Sequence, residues 1–261
     1  MTEIDIRLLD TSADIHRLGD VLDQIWGTRT PVVSVEVMRA IAHAGGYVAA
    51  AFDGDQVVGG SLGFLARHRC EPALHSHVTG VVPGVRGTGL GRRIKLHQRS
   101  WAADQGLRWI TWTFDPLVRR NAWFNLVVLG AGVEEYLVDF YGPMADAVNG
   151  VDESDRLLVA WSVTPTEDDD QSPRAGPRGS EATSQSGTAG APAPSPAASR
   201  EDTFTVPTPA DIVALRRTDP ADAAAWRRRV RSELGGPVEL GARVVGFTPG
   251  GDYVVAPGGA S

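Results

Sequence analysis

The sequence predicts an α/β layered fold with a small α+β extension following it. Three observations predict it. Segments with the two-residue period of strands alternate with segments that have the helical period. One strand runs through a glycine-rich turn directly into a helix, within residues 75–105. A stretch poor in core-forming side chains, 165–202, separates a domain at 1–164 from an extension at 203–261.

Each element follows from its own pattern. Ile4, Ile6 and Leu8 alternate with charged residues, as in a half-buried strand. Ser12 then reads as the N-cap of a helix whose face carries Ile15, Leu18, Val21, Leu22, Ile25 and Trp26. Residues 47–52 and 56–64 form a hairpin about Asp53-Gly54, a favoured tight-turn pair. A strand at 75–82 leads to a helix at 90–105, with Leu90, Ile94, His97 and Trp101 as its apolar stripe. A strand at 109–114 and a helix at 119–129, ended by Gly130, follow, and strands at 133–141 and 156–163 close the sheet. The order is β-α-β-β-β-α-β-α-β-β.

The stretch from 165 to 202 opens on an acidic run at Glu167 and continues in Ser, Pro, Gly and Ala. It cannot bury enough to offset its ordering entropy and is expected to be a flexible linker. In the extension, Thr208-Pro209 and Asp219-Pro220 each read as an N-cap with proline at the first helical position. The second helix places Ala224, Trp226 and Val230 among Arg227, Arg228, Arg229 and Arg231, whose charges read as a solvated face. A hairpin at 243–247 and 253–256 completes a unit too small to stand alone, so docking on the first domain is expected.

Composition narrows the function. Hydrophobic content of 42% supports a packed core. A net charge of −7 argues against a nucleic-acid partner, because phosphate binding needs a basic surface. Cys70 is alone, so no intramolecular disulfide forms. The start lacks a signal-peptide core, and no apolar run approaches the roughly 20 residues of a membrane helix. A cytoplasmic protein with no membrane partner is expected, and the richness in Ala, Gly, Arg and Asp suits a bacterial source.

The chemistry is carried by the run from His77 through Thr79 and Val81-Val82-Pro83-Gly84-Val85 to Arg86-Gly87-Thr88-Gly89-Leu90-Gly91. Glycines let the backbone approach a ligand, and the first amides of the following helix have no helical partner, so with the helix dipole they favour an anion. Arg86, Arg92 and Arg93 add positive charge. A phosphate or diphosphate site is expected. Leu90-Gly91-Arg92 lacks the Gly-Lys-Ser/Thr ending of a Walker loop, and Arg92 stands where a dinucleotide fingerprint needs its third glycine.

The spacing Arg-x-x-Gly-x-Gly, met by Arg86, Gly89 and Gly91, resembles the GNAT superfamily of acyl-CoA N-acyltransferases over about residues 3–163. The passages at 110–116, 120–125 and 129–131, with the tail around 209–253, resemble a bacterial subgroup with a C-terminal extension. The resemblance implies direct transfer of an acyl group from acetyl-CoA, or another short acyl-CoA, to a primary amine of a small molecule such as an amino acid. It implies a mixed, mostly antiparallel central sheet flanked by helices, with the fourth and fifth strands splayed apart, and admits a homodimer; no metal is expected, since no His/Cys/Asp cluster has ligand spacing. CoA binding is implied for Val81, Val82, Pro83, Arg86, Gly87, Thr88, Gly89, Leu90, Gly91 and Arg92, with an oxyanion donor among the amides near Val81 and Val82, and Asn121 and Asn125 are candidates for pantetheine or substrate.

Transfer needs a base for the amine. His77, with His75 and Thr79 read on the same strand face, is one candidate and Asp115 another; a packed histidine and an Asx cap ahead of Pro116 are the ordinary alternatives. The family's tyrosine acid would fall at Leu126, and no tyrosine lies in that helix. A CoA-binding regulator without turnover and a protein-interaction module therefore stand beside the enzyme reading.

Overall fold

The computed structural model describes residues 4–28, 30–142, 152–164 and 203–258. The expected linker lies outside the described residues. The chain begins with β1 (Asp5–Leu8), α1 (Ser12–Trp26) and α2 (Val35–His43). Then come β2 (Tyr47–Asp53), β3 (Gln56–His68), β4 (Glu71–Val81), α3 (Leu90–Asp104) and β5 (Trp109–Phe114). α4 (Arg119–Ala122) continues as π-helical turns over Trp123–Val128, before β6 (Gly132–Leu137) and β7 (Arg156–Ser162). The helix α2 has no counterpart in the sequence reading; it is nine residues long and only Met38 in it is fully buried, too little for a periodic stripe. Thr11, rather than Ser12, caps α1, its side chain accepting from the Asp14 amide.

The strands order as β1-β2-β3-β4-β5-β7-β6, and every pairing is antiparallel except β4 with β5. Both faces of the centre are covered. On β2, Val48, Ala50 and Phe52 pack under α1 and α2, where Ile15, Leu18, Leu22 and Met38 meet them. Tyr47, Ala49 and Ala51 face the other way, towards Ala102 or Leu90 and Ile94 of α3. That double burial is why β2 is apolar throughout rather than alternating.

The extension holds β8 (Phe204–Pro207), α5 (Ile212–Thr218), α6 (Pro220–Val230), α7 (Gly236–Glu239), β9 (Arg243–Phe247) and β10 (Asp252–Ala256). Its sheet is ordered β8-β10-β9, so the expected hairpin gains a third strand. Thr208 is no helix cap. It is buried beyond β8 and donates its hydroxyl to the Gly251 carbonyl at 2.6 Å, while Asp211 caps α5. Asp219 does cap α6, with Pro220 at its start. Val206, Ile212, Ala223, Val230, Leu234, Tyr253 and Val255 belong to the same hydrophobic core as Phe114, Leu117 and Leu157, and the Tyr253 hydroxyl donates to the Pro116 carbonyl at 2.7 Å.

Candidate active site

β4 and β5 pair only from Ala73 opposite Trp109 to His75 opposite Thr111. Beyond that point they part, and a cleft of about 820 Å³ opens between them, lined by Ser76–Val81 on one side and Trp112–Asp115 on the other. Ile25 and Trp26, at the end of α1, wall it, and Gly80 leaves the room that the Trp26 indole fills, since a Cβ there would stand 2.7 Å from the ring.

A bulge shapes the cleft. Leu62 faces Val78 and Gly63 faces Ser76, so His77 is the extra residue on β4. The sequence reading put His75, His77 and Thr79 on one face; the bulge separates them. Thr79 turns to the α3 side, where its hydroxyl lies 2.8 Å from that of Ser61. His75 and His77 stay on the opposite face, beside Phe64. His75 is held to the Thr111 hydroxyl at 3.1 Å, and burial first, then the charges of His77 and Lys95, push its pKa down to about 4. His77 lines the cleft, and desolvation lowers its pKa too, so its imidazole is neutral near pH 7.

The turn leaving β4 brings its amides to the mouth of the same cleft. Pro83–Val85 form one 3-10 turn, closed by the Arg86 amide on the Pro83 carbonyl at 3.2 Å. Gly87 and Gly89 take φ values of 79° and 85°, which L side chains resist. The first α3 bond runs from the Arg93 amide to the Gly89 carbonyl. Among the described residues the amides of Gly87, Gly89, Leu90, Gly91 and Arg92 meet no acceptor. Arg86 and Gly91 line the cleft. The Leu90 side chain is buried in the core, so this residue offers only its backbone.

The Val82 amide donates to the Val58 carbonyl at 3.0 Å. It is therefore unavailable as an oxyanion donor, a correction to the sequence reading. Pro83 has no N–H at all. By the two-residue alternation of an antiparallel ladder, that bond turns the amides of Thr79 and Val81 away from β3, towards the open side.

Asp115 is also corrected. It borders the cleft but is buried and fully engaged: Arg227 grips both its oxygens at 2.8 and 3.0 Å, and Arg216 adds a bond at 2.5 Å. The Leu117 amide bonds it as well, at 2.9 Å. Burial alone would raise its pKa; Arg227, followed by Arg216, brings it far below the usual carboxylate range. A carboxylate held so firmly ionised is no base for an amine. Asp152 completes the cluster, bonded to Arg216 at 3.0 Å and to Arg227 at 2.8 Å. The expected solvated face holds for Arg228 and Arg229, which are exposed, but not for Arg227, which is 1% exposed, and beyond α6 Arg231 binds Asp155.

Asn121 and Asn125 both line the cleft, at the start of α4 and in its π-helical turns. Asn125 accepts from Trp112 Nε1 at 3.1 Å, which orients its amide. The place expected for a tyrosine, Leu126, packs against the core. A tyrosine reaches the cleft from elsewhere: Tyr141, beyond β6, stands with its hydroxyl 3.1 Å from that of Thr113. No helical periodicity could have pointed to it, because it lies in an irregular segment.

Lys95, on α3, was not singled out by the sequence and is the least expected member of the lining. It is 3% exposed. Its ammonium donates to Ser76 Oγ at 2.8 Å and Gln98 Oε1 at 3.2 Å, and lies 3.8 Å from the centre of the Trp112 ring. Gln98 donates to Ser61, Ser61 meets Thr79, and Thr79 approaches Ser76, closing a polar ring beneath the wedge. Desolvation pushes the Lys95 pKa down to about 7 from 10.5. Between those values the unfolded chain holds a proton that the folded chain lacks, so stability rises with pH through this window, by up to about 1.4 kcal/mol per unit. Lys95→Met is expected to remove that slope, which urea unfolding at pH 7 and pH 9 measures.

The splayed strand pair and the glycine turn at the far end of one arm are what the resemblance implies; the bulge at the fork is added by the structure. The architecture is the α/β layering expected from the sequence, a seven-stranded mixed sheet covered by helices. No family model and no curated protein sequence matches the chain. Among solved structures it is similar to the ribosomal-protein alanine N-acetyltransferase of Escherichia coli, at 14% identity over 63% of this chain and 96% of that one, TM-score 0.49. It is also similar to Naa50 of Arabidopsis thaliana with a bisubstrate analogue containing CoA, at 17% identity over 60% and 97%, TM-score 0.48. An aminoglycoside 6'-N-acetyltransferase complexed with coenzyme A matches at 19% identity over 63% and 99%, TM-score 0.46. No helix among the described residues is long and apolar enough to cross a membrane.

Proposed function

We propose that this protein is a GNAT-type acyl-CoA N-acyltransferase that passes its acyl group directly to a primary amine of a small molecule. One observation carries the reading: the unpaired amides of the Gly87–Arg92 turn open onto the same cleft as the parted strands β4 and β5. The turn would take the CoA diphosphate, with Arg86 and Arg92 beside it. The amides of Thr79 and Val81, left over from the β3 ladder, would pair with pantetheine as a further strand does. Asn121 is placed to bind the same arm.

The amine nitrogen attacks the thioester carbon, and the carbonyl electrons move to oxygen, where an amide of the bulge about His77 receives them. Collapse breaks the C–S bond and leaves an amide and CoA thiolate. The nitrogen's proton passes to neutral His77 directly or through water. Tyr141 gives its hydroxyl proton to the thiolate and recovers one from solvent, to which His77 releases the proton it took, so both residues are restored and CoA thiol leaves.

The lining also bears on the acceptor. Among the described residues its one carboxylate, Asp115, is neutralised by Arg216 and Arg227, while Arg86, Arg120 and Arg156 are cationic and Lys95 becomes so below about pH 7. A polycationic acceptor finds no counter-charge there, whereas an amine that itself carries a carboxylate does. An amino acid fits this description.

Thiol release from an acyl-CoA panel against an amine panel tests the reading. Turnover is expected, and Tyr141→Phe is expected to lower kcat by about 10- to 100-fold with KM for CoA substrate unchanged. Thermal stabilisation by acyl-CoA without product from any pair would instead identify a CoA-binding regulator.

A further inference from the structure

We propose that the acyl group this protein accepts ends in a carboxylate, which Lys95 receives at the floor of the wedge between β4 and β5. The inference rests on the acyl-CoA reading above and names the class of acyl donor: a short dicarboxylic acyl thioester of the malonyl or succinyl kind.

The fork of the wedge is fixed by the last ladder pair, His75 with Thr111. The first residues past it are Ser76, beside the bulge at His77, and Trp112. A thioester whose carbonyl meets the bulge amide therefore directs its acyl chain down into the fork, towards those two side chains. A site for acetyl or propionyl would be closed there by apolar groups. Here Lys95 stands behind both, 2.8 Å from Ser76 Oγ and 3.8 Å from the centre of the Trp112 ring.

A lysine so thoroughly buried is ordinarily paired with a carboxylate, because removing an ammonium from water costs more than neutral hydrogen bonds return. Among the described residues no carboxylate pairs with Lys95; it meets Ser76, Gln98 and the Trp112 ring. Ser61, Thr79 and Gln98 hold the floor polar behind it. The missing partner is the anion that the substrate would bring, at two or three bonds from the thioester carbonyl. Serine and threonine hydroxyls on the same floor can donate to that carboxylate as well. Trp112, whose Nε1 donates to Asn125 at 3.1 Å, would flank the methylenes between.

The test needs no acceptor amine. Isothermal titration of the full chain, and of Lys95→Met, with free CoA, butyryl-CoA and succinyl-CoA measures the acyl contribution alone. The expected result is succinyl-CoA bound at least about tenfold more tightly than butyryl-CoA by the natural protein. In Lys95→Met that preference disappears, while free CoA binds both proteins alike. Equal affinity of the natural protein for both thioesters, or a preference for butyryl-CoA, overturns the proposal and leaves the CoA site standing. Absence of binding by any CoA species overturns both. Should the variant fail to fold, the comparison within the natural protein decides.

Discussion

Replacing Gly89 by aspartate is expected to lower the affinity for CoA by about 100-fold, close to 2.7 kcal/mol. Two effects add. Gly89 holds φ at 85°, a left-handed conformation that costs a residue with a Cβ about 1 kcal/mol. The new carboxylate would also stand beside the amides that face the diphosphate, replacing an attraction by a repulsion. A Cβ at Gly89 meets nothing within 4 Å, so the variant should fold and the loss should appear in binding. Gly89→Ala keeps the strain without the charge and is expected to fall between the two. Calorimetric titration with CoA measures all three. An aspartate variant that binds CoA as tightly as the natural protein would remove the turn from the site.

The largest effect on stability is expected at the buried ion cluster. Arg227→Met leaves Asp115 and Asp152 with only Arg216 between them, all with side chains under a tenth exposed. Losing one partner of such a group costs about 3–5 kcal/mol, because the remaining charge stays buried. The cost should reach the site too, since Asp115 also holds the Leu117 amide just before α4, where Asn121 sits. A fall in the urea midpoint together with weaker CoA binding is the expected pair of results. A loss below 1 kcal/mol would show that the extension is held chiefly by its apolar contacts, Val206, Val230 and Tyr253 among them.

These cases mark where the sequence was legible. The glycine turn could be read because its determinants are adjacent: a strand, three glycines, arginines and a helix start lie within 20 residues or so of chain. The helix before Gly130 and the capped α6 follow from similarly local signals. Asp115 could not be read correctly, because the partners that disarm it, Arg216 and Arg227, follow 101 and 112 residues later. The same distance hid the role of Arg227, which in isolation resembles its exposed neighbours Arg228 and Arg229. Lys95 escaped notice because a lysine on an amphipathic helix normally faces water; here the opening of β4 from β5 turns that face into the floor of a cleft. Thr79 changed sides through one extra residue at His77, and strand alternation gives no warning of a bulge. Tyr141 reaches the cleft from the turn after β6, which ends at Leu137 rather than at 141 as strand alternation suggested.

The most direct measurement is a crystal structure of the protein with CoA. Diphosphate oxygens within hydrogen-bond reach of the Gly87, Gly89 and Gly91 amides, with the pantetheine arm lying between β4 and β5, are what the anion site requires. A CoA bound elsewhere on the surface, or crystals that remain free of it at millimolar ligand, would contradict the assignment of this cleft to acyl-CoA chemistry.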